Sequence, residues 1–342
     1  MQAACRYTGR CFASSFGDHR HARGEHVRDF CVSVPHNSER ERFDFAKKSL
    51  LADATMEFGL SNIIFGQRPP VEDDFRCLQE AGIRQTEIRM AGDCLDPCDD
   101  AMIGRVTRWA EAYGVTIHSI HGPSGLPTIG DWLADPDESI RRKNVAYRRL
   151  VLERGAQLGA SYVVVEYECY GWWPYWPHDS LREHVYPQSK SLWTESIESL
   201  LDDARRTGVR LGIENIDGLP ITNLAEMVSS WDAALVGVIF DTSHASYSQD
   251  LSGQLSRVLP RLIGTHLSDN DFLPGNQWQD RHWPPFQGAV DWKSVVSLLS
   301  QSAVGDCLIV EVHTPQDTID AVLLESLERL RHLIDHLPMA SE

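Results

Sequence analysis

No apolar run in this 342-residue chain approaches the ~20 residues that cross a bilayer, so no membrane-spanning helix is expected. The N-terminus also lacks the apolar core, roughly 7–15 residues long, of a secretory signal. Cysteine offers no framework. Its eight residues are scattered. Cys77 and Cys307 sit in apolar segments, and Cys94 with Cys98 is the nearest pair, with no second pair to match it. Reduced thiols in a cytoplasmic protein are the expectation. Positive charge is scarce as well: 32 Lys and Arg face 49 Asp and Glu, a formal net charge of −17. Phosphate neutralisation by basic residues supplies most of the affinity for nucleic acid, so this surface argues against a nucleic-acid partner. No glycine-rich phosphate fingerprint follows the first strand-like run, which counts against a doubly wound nucleotide-binding sheet.

With 42% hydrophobic residues, the chain has enough apolar material for one large core. Residues 1–55 differ from the rest. They are rich in Arg, His and Cys and carry little periodicity. They are expected to be a disordered N-terminal extension, or a start upstream of a protein that begins at Met56, and to be dispensable for folding and activity. A transit peptide is the alternative, against which Asp18, Glu25, Asp29, Glu39, Glu41 and Asp44 argue. Residues 56–342 read as one catalytic domain. Apolar, β-branched runs at 58–65, 84–90, 115–121, 161–168, 210–216, 235–241, 262–267 and 306–312 alternate with amphipathic stretches at 72–82, 99–113, 138–158, 191–208, 222–232, 251–258, 290–301 and 316–336. Strands separated by helices pair in parallel, and eight such units predict a closed (β/α)8 barrel of the α/β class. Long loops are expected at 122–137, 169–190 and 268–289, all after strands and hence on the face where such barrels carry their chemistry.

Four of the strand-like runs end in an acid or a histidine: Glu214 in RLGIENI, Asp241 in VGVIFDTSHA, His266 in LIGTHLSDN and Glu311 in CLIVEVH. A parallel barrel gathers those ends at one mouth. Three carboxylates and an imidazole there suit an oxygen-preferring divalent ion. Further polar residues converge on the same end. His118 and His121 stand three apart on the third strand, so alternation leaves one of them for the mouth. His121 is the expected one and His118 a core histidine. Glu166 ends the fourth strand, His244 follows Asp241, and Asp280 and His282 precede the seventh-strand helix; Glu166, Asp280 and His282 are candidates for a second metal or for substrate. Glu87 and Arg89 are expected to form a polar pair inside the barrel, with Arg89 also a candidate substrate contact. Tyr170, Trp172, Trp173, Tyr175 and Trp176 crowd one loop. They read either as a local core or oligomer contact, or as a wall on which a sugar stacks, with Trp172, Trp173 and Trp176 as the contacts and Trp278 and Trp283 able to join them.

These residues fall in an ordered set of motifs: the HGP turn at His121, GIEN at Glu214, D-T-x-H at Asp241–His244, H-L-x-D at His266–Asp269, and D-x-H-x-P-P-x-x-G-x-x-D-W at Asp280–Trp292. The set resembles the sugar phosphate isomerase/epimerase family of xylose-isomerase-like TIM barrels, over roughly residues 57–336. The resemblance implies Glu214, Asp241, His266 and Glu311 as metal ligands. Mn²⁺ is the expected ion, with Mg²⁺, Co²⁺ and Zn²⁺ as alternatives. It implies that Glu214 and Glu311 exchange protons with the substrate on opposite faces while His121 and His244 orient hydroxyls. The expected activity is isomerisation or epimerisation of a sugar or cyclitol through an enediolate. The alternative is a lyase or dehydratase such as a C-glycoside (3-keto-glycoside) deglycosidase with a small partner subunit. An endonuclease IV-like hydrolase and a non-catalytic sugar-binding barrel rank below these. A homo-oligomer acting on a small carbohydrate or glycoside is expected. Two departures stand out: Phe286-Gln287-Gly288 where the family often has Gly-Glu-Gly, and Glu166 where several branches carry histidine.

Overall fold

The computed structural model describes residues 57–336 except 92, 124–132, 168–178, 217–220, 247–249, 272–279, 303 and 305–306, and the side chains of 179–188. The expected extension, residues 1–55, and the aromatic contacts Trp172, Trp173 and Trp176 lie outside the described residues. β1 (Glu57–Ser61) runs through a 3-10 turn (Asn62–Phe65) into α1 (Glu72–Glu80). β2 (Gln85–Arg89), α2 (Asp100–Tyr113), β3 (Thr116–His121), α3 (Glu138–Leu158) and β4 (Tyr162–Glu166) follow. Then come α4 (Asp179–Glu198), α5 (Leu201–Thr207), β5 (Arg210–Glu214), α6 (Ile221–Ser229) and β6 (Val236–Asp241). A short α7 (Thr242–Ala245), α8 (Leu251–Val258), β7 (Leu262–Leu267), α9 (Trp292–Leu299), β8 (Cys307–Val310) and α10 (Ala321–Asp335) complete it.

The eight strands close into one barrel in the order β1 to β8, every neighbouring pair parallel. Alternation along each strand decides what it faces. Phe58, Leu60, Ile88, Val163, Leu211, Val238, Phe240 and Val310 pack outward against the helices in the main core. The other face of the strands lines the barrel, where Tyr162, Val164, Ile239 and Ile263 form a second, small cluster. Glycine makes room for it. A Cβ on Gly212 would stand 2.6 Å from Ile239, and one on Gly264 2.4 Å from the Tyr162 hydroxyl. Above this plug the same inward positions turn polar, at Glu87, Ser119, His121, Glu214, Asp241 and His266, all buried.

Two expectations are corrected. The stretch 169–190 is not loop throughout: α4 already begins at Asp179, so the helix starts a dozen residues before its apolar periodicity becomes legible. Strict alternation also fails on β3. Thr86 pairs with Ile117 but Glu87 pairs with Ser119, so a register shift skips His118 in the pairing with β2. His118 is partly buried and sits edge-on to Tyr162 at 5.4 Å. The shift, and not a simple count of three, sets Ser119 and His121 beside Glu87 and Arg89. Among the described residues, Cys77, Cys94, Cys98 and Cys307 stand in no disulfide, and no helix is long and apolar enough to cross a membrane.

Candidate active site and metal centre

At the C-terminal end of the barrel, side chains from β3, β5, β6, β7 and the residue after β8 meet. His266 on β7 is fully buried, and its Nδ1 lies 2.7 Å from Glu214 Oε1, 3.2 Å from Glu311 Oε2 and 3.9 Å from Asp241 Oδ2. His121 on β3 stacks over the His266 ring at 5.4 Å and brings its Nε2 to 3.4 Å from Glu214 Oε2. Ligand-type atoms of His121, Glu214, His266 and Glu311 all lie within 4.8 Å of one another. Those of Asp241, His244 and His282 form a second such group beside it. Three of the four expected ligands thus stand together with His121 as the fourth member. Asp241 lies between the groups: its Oδ1 accepts from the His244 amide at 2.8 Å and caps α7, while its Oδ2 has no hydrogen-bond partner.

The second group adjoins the first, with His244 Nδ1 3.6 Å from Glu214 Oε1 and His282 Nδ1 3.8 Å from Glu311 Oε2, and is braced by Asp280. Asp280 Oδ2 lies 2.8 Å from His282 Nε2 and 3.3 Å from His244 Nε2, and Ser243 Oγ donates to its Oδ1 at 2.8 Å. His282 holds a left-handed backbone, φ 44°, which is uncommon for a residue with a side chain and is found where surrounding contacts over-determine it. Here its Nδ1 donates to the Glu311 carbonyl at 3.0 Å, and its own carbonyl accepts from the His313 amide at 2.8 Å. Glu166 ends β4 in register with Glu214 but lies outside both groups. Arg89 ends β2, partly buried, close enough for its charge to act on Glu166.

Each histidine has one nitrogen already committed. His121 Nδ1 faces the Gly122 carbonyl at 2.9 Å, His244 Nδ1 the Asn215 carbonyl at 2.8 Å, and His282 Nδ1 the Glu311 carbonyl. A carbonyl oxygen only accepts, so each of these Nδ1 atoms carries the proton, and each Nε2 faces the cluster. Metal-ligating histidines are held in this way.

The electrostatics agree. Burial pushes the His121 imidazole down, but the Glu214 carboxylate and the charges of Glu311 and Glu87 carry it up to about 9. His282, likewise against burial, is raised to about 10 by Asp280, Asp241 and Glu311, and His266 lies well above its ordinary value beside Glu214, Glu311 and Glu87. Burial works to raise Glu214, yet His266, His121 and His244 hold it well below the usual carboxylate range. Asp280 is similarly held down, against burial, by His282 and His244. Burial, with Glu214 adding to it, lifts Asp241 to about 6, and burial with Glu214 also raises Glu166. The field that draws protons onto these imidazoles is the field that draws a divalent cation. Glu214 Oε2 and Asp241 Oδ2 are buried without hydrogen-bond partners, two orphaned oxygens of the kind such an ion satisfies. The donor set fits a divalent metal, with Glu214, His266 and Glu311 as its core and Asp241 and His121 within reach.

Sequence reasoning missed four contributors. Glu87 does not pair with Arg89; its Oε2 accepts from Ser119 Oγ at 2.8 Å and lies 3.2 Å from His266 Nε2. Asn215 laces β5 to β6, donating to the Asp241 carbonyl and accepting from the Asp241 amide. Ser243 steadies Asp280. His313 stands edge-on to His282 at 5.6 Å. The asparagine in GIEN and the serine in D-T-S-H were both within motifs and could have been picked out. The departure at Phe286 also has a physical account. Phe286 adopts φ 71°, a left-handed conformation glycine enters freely, and the ring is held there by Trp292 at 5.8 Å and by the Arg329 guanidinium 3.9 Å above its face.

Among curated proteins, none matches the chain significantly by sequence. Solved structures do match in fold. A D-tagatose 3-epimerase-like protein superposes with a TM-score of 0.66 at 19% identity, covering 82% of this chain and 97% of its own. The 3-keto-D-glucoside 4-epimerase from E. coli gives 0.62 at 19%, covering 81% and 99%. The IOLI protein with a bound zinc atom gives 0.64 at 16%, covering 83% and 100%. By sequence, residues 75–333 match the family of xylose isomerase-like TIM barrels. That match takes in every strand that lends a side chain to the cluster, and the chain belongs to the xylose isomerase-like TIM barrel family.

Proposed function

We propose that the protein is a divalent-metal-dependent isomerase or epimerase of a small sugar or cyclitol, working by proton abstraction beside a carbonyl. The observation that carries this reading is the convergence of two carboxylates, Glu214 and Glu311, on one buried imidazole nitrogen, at 2.7 and 3.2 Å. A divalent ion held by Glu214, Asp241, His266 and Glu311 would supply Lewis-acid charge to stabilise an enediolate, with Mn²⁺ the favoured ion. Glu214, kept ionised by His266 and His121, serves as the base that takes the α-proton, and Glu311 returns a proton to the other face. His121 and His244 present ring nitrogens to substrate hydroxyls, and Arg89 holds a substrate oxygen at the rim. The names of similar folds, a 3-epimerase-like protein and a 3-keto-glucoside 4-epimerase, fit chemistry next to a carbonyl.

Asp280 and His282, with Glu166, are the candidates to hold a second ion, and metal stoichiometry tests that part of the reading. One observation favours the alternative outcome, elimination. Glu166, whose carboxyl burial and Glu214 keep raised, is a proton donor for a leaving group β to the carbonyl, so a lyase acting on a 3-keto-glycoside is the second reading. The deciding experiment loads the protein with Mn²⁺ and incubates it in D₂O with ketoses, inososes and 3-keto-glycosides. Deuterium entering the carbon next to the carbonyl is the expected result, with a released aglycone marking the lyase. Absence of exchange on all three classes overturns both readings.

A further inference from the structure

His121, His244 and His282 each turn Nδ1 outward to a backbone carbonyl and Nε2 toward the cluster. His266 is the reverse. Its Nδ1 faces Glu214 and Glu311, and its outward nitrogen, Nε2, meets a side chain: Glu87, on β2, with both carboxylate oxygens at 3.2 Å. An imidazole can turn over about its Cβ–Cγ bond at little cost unless its outer edge is held. Turned over, it would present Cδ2 in place of Nδ1. Backbone anchors hold the other three rings. At His266 the outer partner among the described residues is Glu87.

Glu87 is itself fully buried, and its hydrogen-bond partners are Ser119 and His266. A carboxylate is costly to bury, and one hydroxyl offsets little of that cost. An imidazole N–H aimed at it accounts for its position. We propose that Glu87 is a positioning residue that holds Nε2–H of His266, fixing the ring's plane and tautomer so that Nδ1 is delivered to the metal. Carboxylates placed behind ligating histidines raise ligand basicity as well as orient the ring, and their loss typically weakens metal affinity roughly 10–100-fold. The inference rests on the metal reading of this cluster.

The test uses the full chain stripped of metal and titrated with Zn²⁺, in wild type, Glu87→Gln and Glu87→Ala, together with ¹⁵N-resolved NMR of the histidine rings in the zinc-loaded wild type. Glu87→Ala is expected to bind Zn²⁺ roughly 10–100-fold more weakly. Glu87→Gln, which keeps an acceptor but loses the charge, should fall between it and wild type. His266 should read as the Nε2–H tautomer. A merely structural glutamate would lower the thermal midpoint without moving the tautomer or the zinc affinity. Wild-type-like affinity in Glu87→Gln and in whichever other variant folds, or an Nδ1–H signature for His266 in the wild type, overturns the assignment while leaving the metal reading intact. A wild type that binds no Zn²⁺ removes the metal reading and the role of Glu87 with it.

Discussion

Glu214 is the residue on which the site turns. It lies within 3.6 Å of three imidazoles, on His121, His244 and His266, and keeps one oxygen without a hydrogen-bond partner. Replacing it with glutamine removes a base and a negative ligand together while preserving shape. Glu214→Gln is therefore expected to lose roughly 10²–10⁴-fold in deuterium exchange and to retain less metal after dialysis, with its far-UV spectrum unchanged; full exchange activity would remove Glu214 from the chemistry. The main candidate ligands could be picked out in sequence because each closes an apolar run at the same end of a strand. Glu87 was not, because its partner, His266, is 179 residues away and the pairing spans the barrel interior, which no local pattern encodes. The unusual backbone of His282 was equally invisible, since a φ of 44° goes with hydrogen bonds to Glu311 and His313, just past β8, and not with the residue's own preference.

At the scale of elements, β7 does two jobs. It carries His266, and just past its end Asp269 fastens the segment that carries Asp280 and His282. Asp269 is fully buried and accepts from the amides of Asn270 and Val290 and from the Trp292 indole, at 2.9, 3.0 and 2.8 Å. Its backbone exchanges two hydrogen bonds with Trp283. A Cβ on Gly288 would come within 2.4 Å of this carboxylate, so only glycine lets the strap lie so close. Asp269→Ala leaves the amides and the indole without their acceptor. A cost of about 2–4 kcal/mol in unfolding free energy is expected, and any ion held by the His244–His282 group should be lost before one held by the Glu214 group. Denaturant unfolding and metal analysis check the two parts separately; an unchanged midpoint would show the strap is held elsewhere. Eight strands and the helices between them were readable from apolar periodicity alone. The early start of α4 and the β3 register shift were not, since one falls where periodicity is weak and the other is settled by pairing with β2 and β4.

For the whole molecule, the excess of acid has more than one origin. Asp99, Asp137, Asp250, Asp291 and Asp320 each cap a helix by accepting from its first-turn amides, a role that favours aspartate whatever the function. The acids at the barrel mouth are different, because they are buried and face histidines. Their effect on stability has a definite sign. His121 and His282 have folded-state values of about 9 and about 10, above their ordinary 6.5. The stability they contribute is complete below about 6.5 and is lost as pH rises through 9 and then 10. Asp241, raised from 3.8 to about 6 by burial first, acts in the same direction at lower pH: its contribution is present below 3.8 and lost as pH rises through 6. Metal-free protein should therefore lose thermal stability between pH 7 and 10. Protein saturated with a divalent ion should lose less, because the ion takes over the charge that the imidazolium protons otherwise supply and binds more tightly as they leave. The measurement is a pair of thermal midpoints, with chelator and with Mn²⁺, at each pH across that range. The gap between them is expected to widen as pH rises. A constant or shrinking gap would mean that protons and metal do not compete for these side chains, and the cluster would then be a buried ion-pair network with no ion of its own.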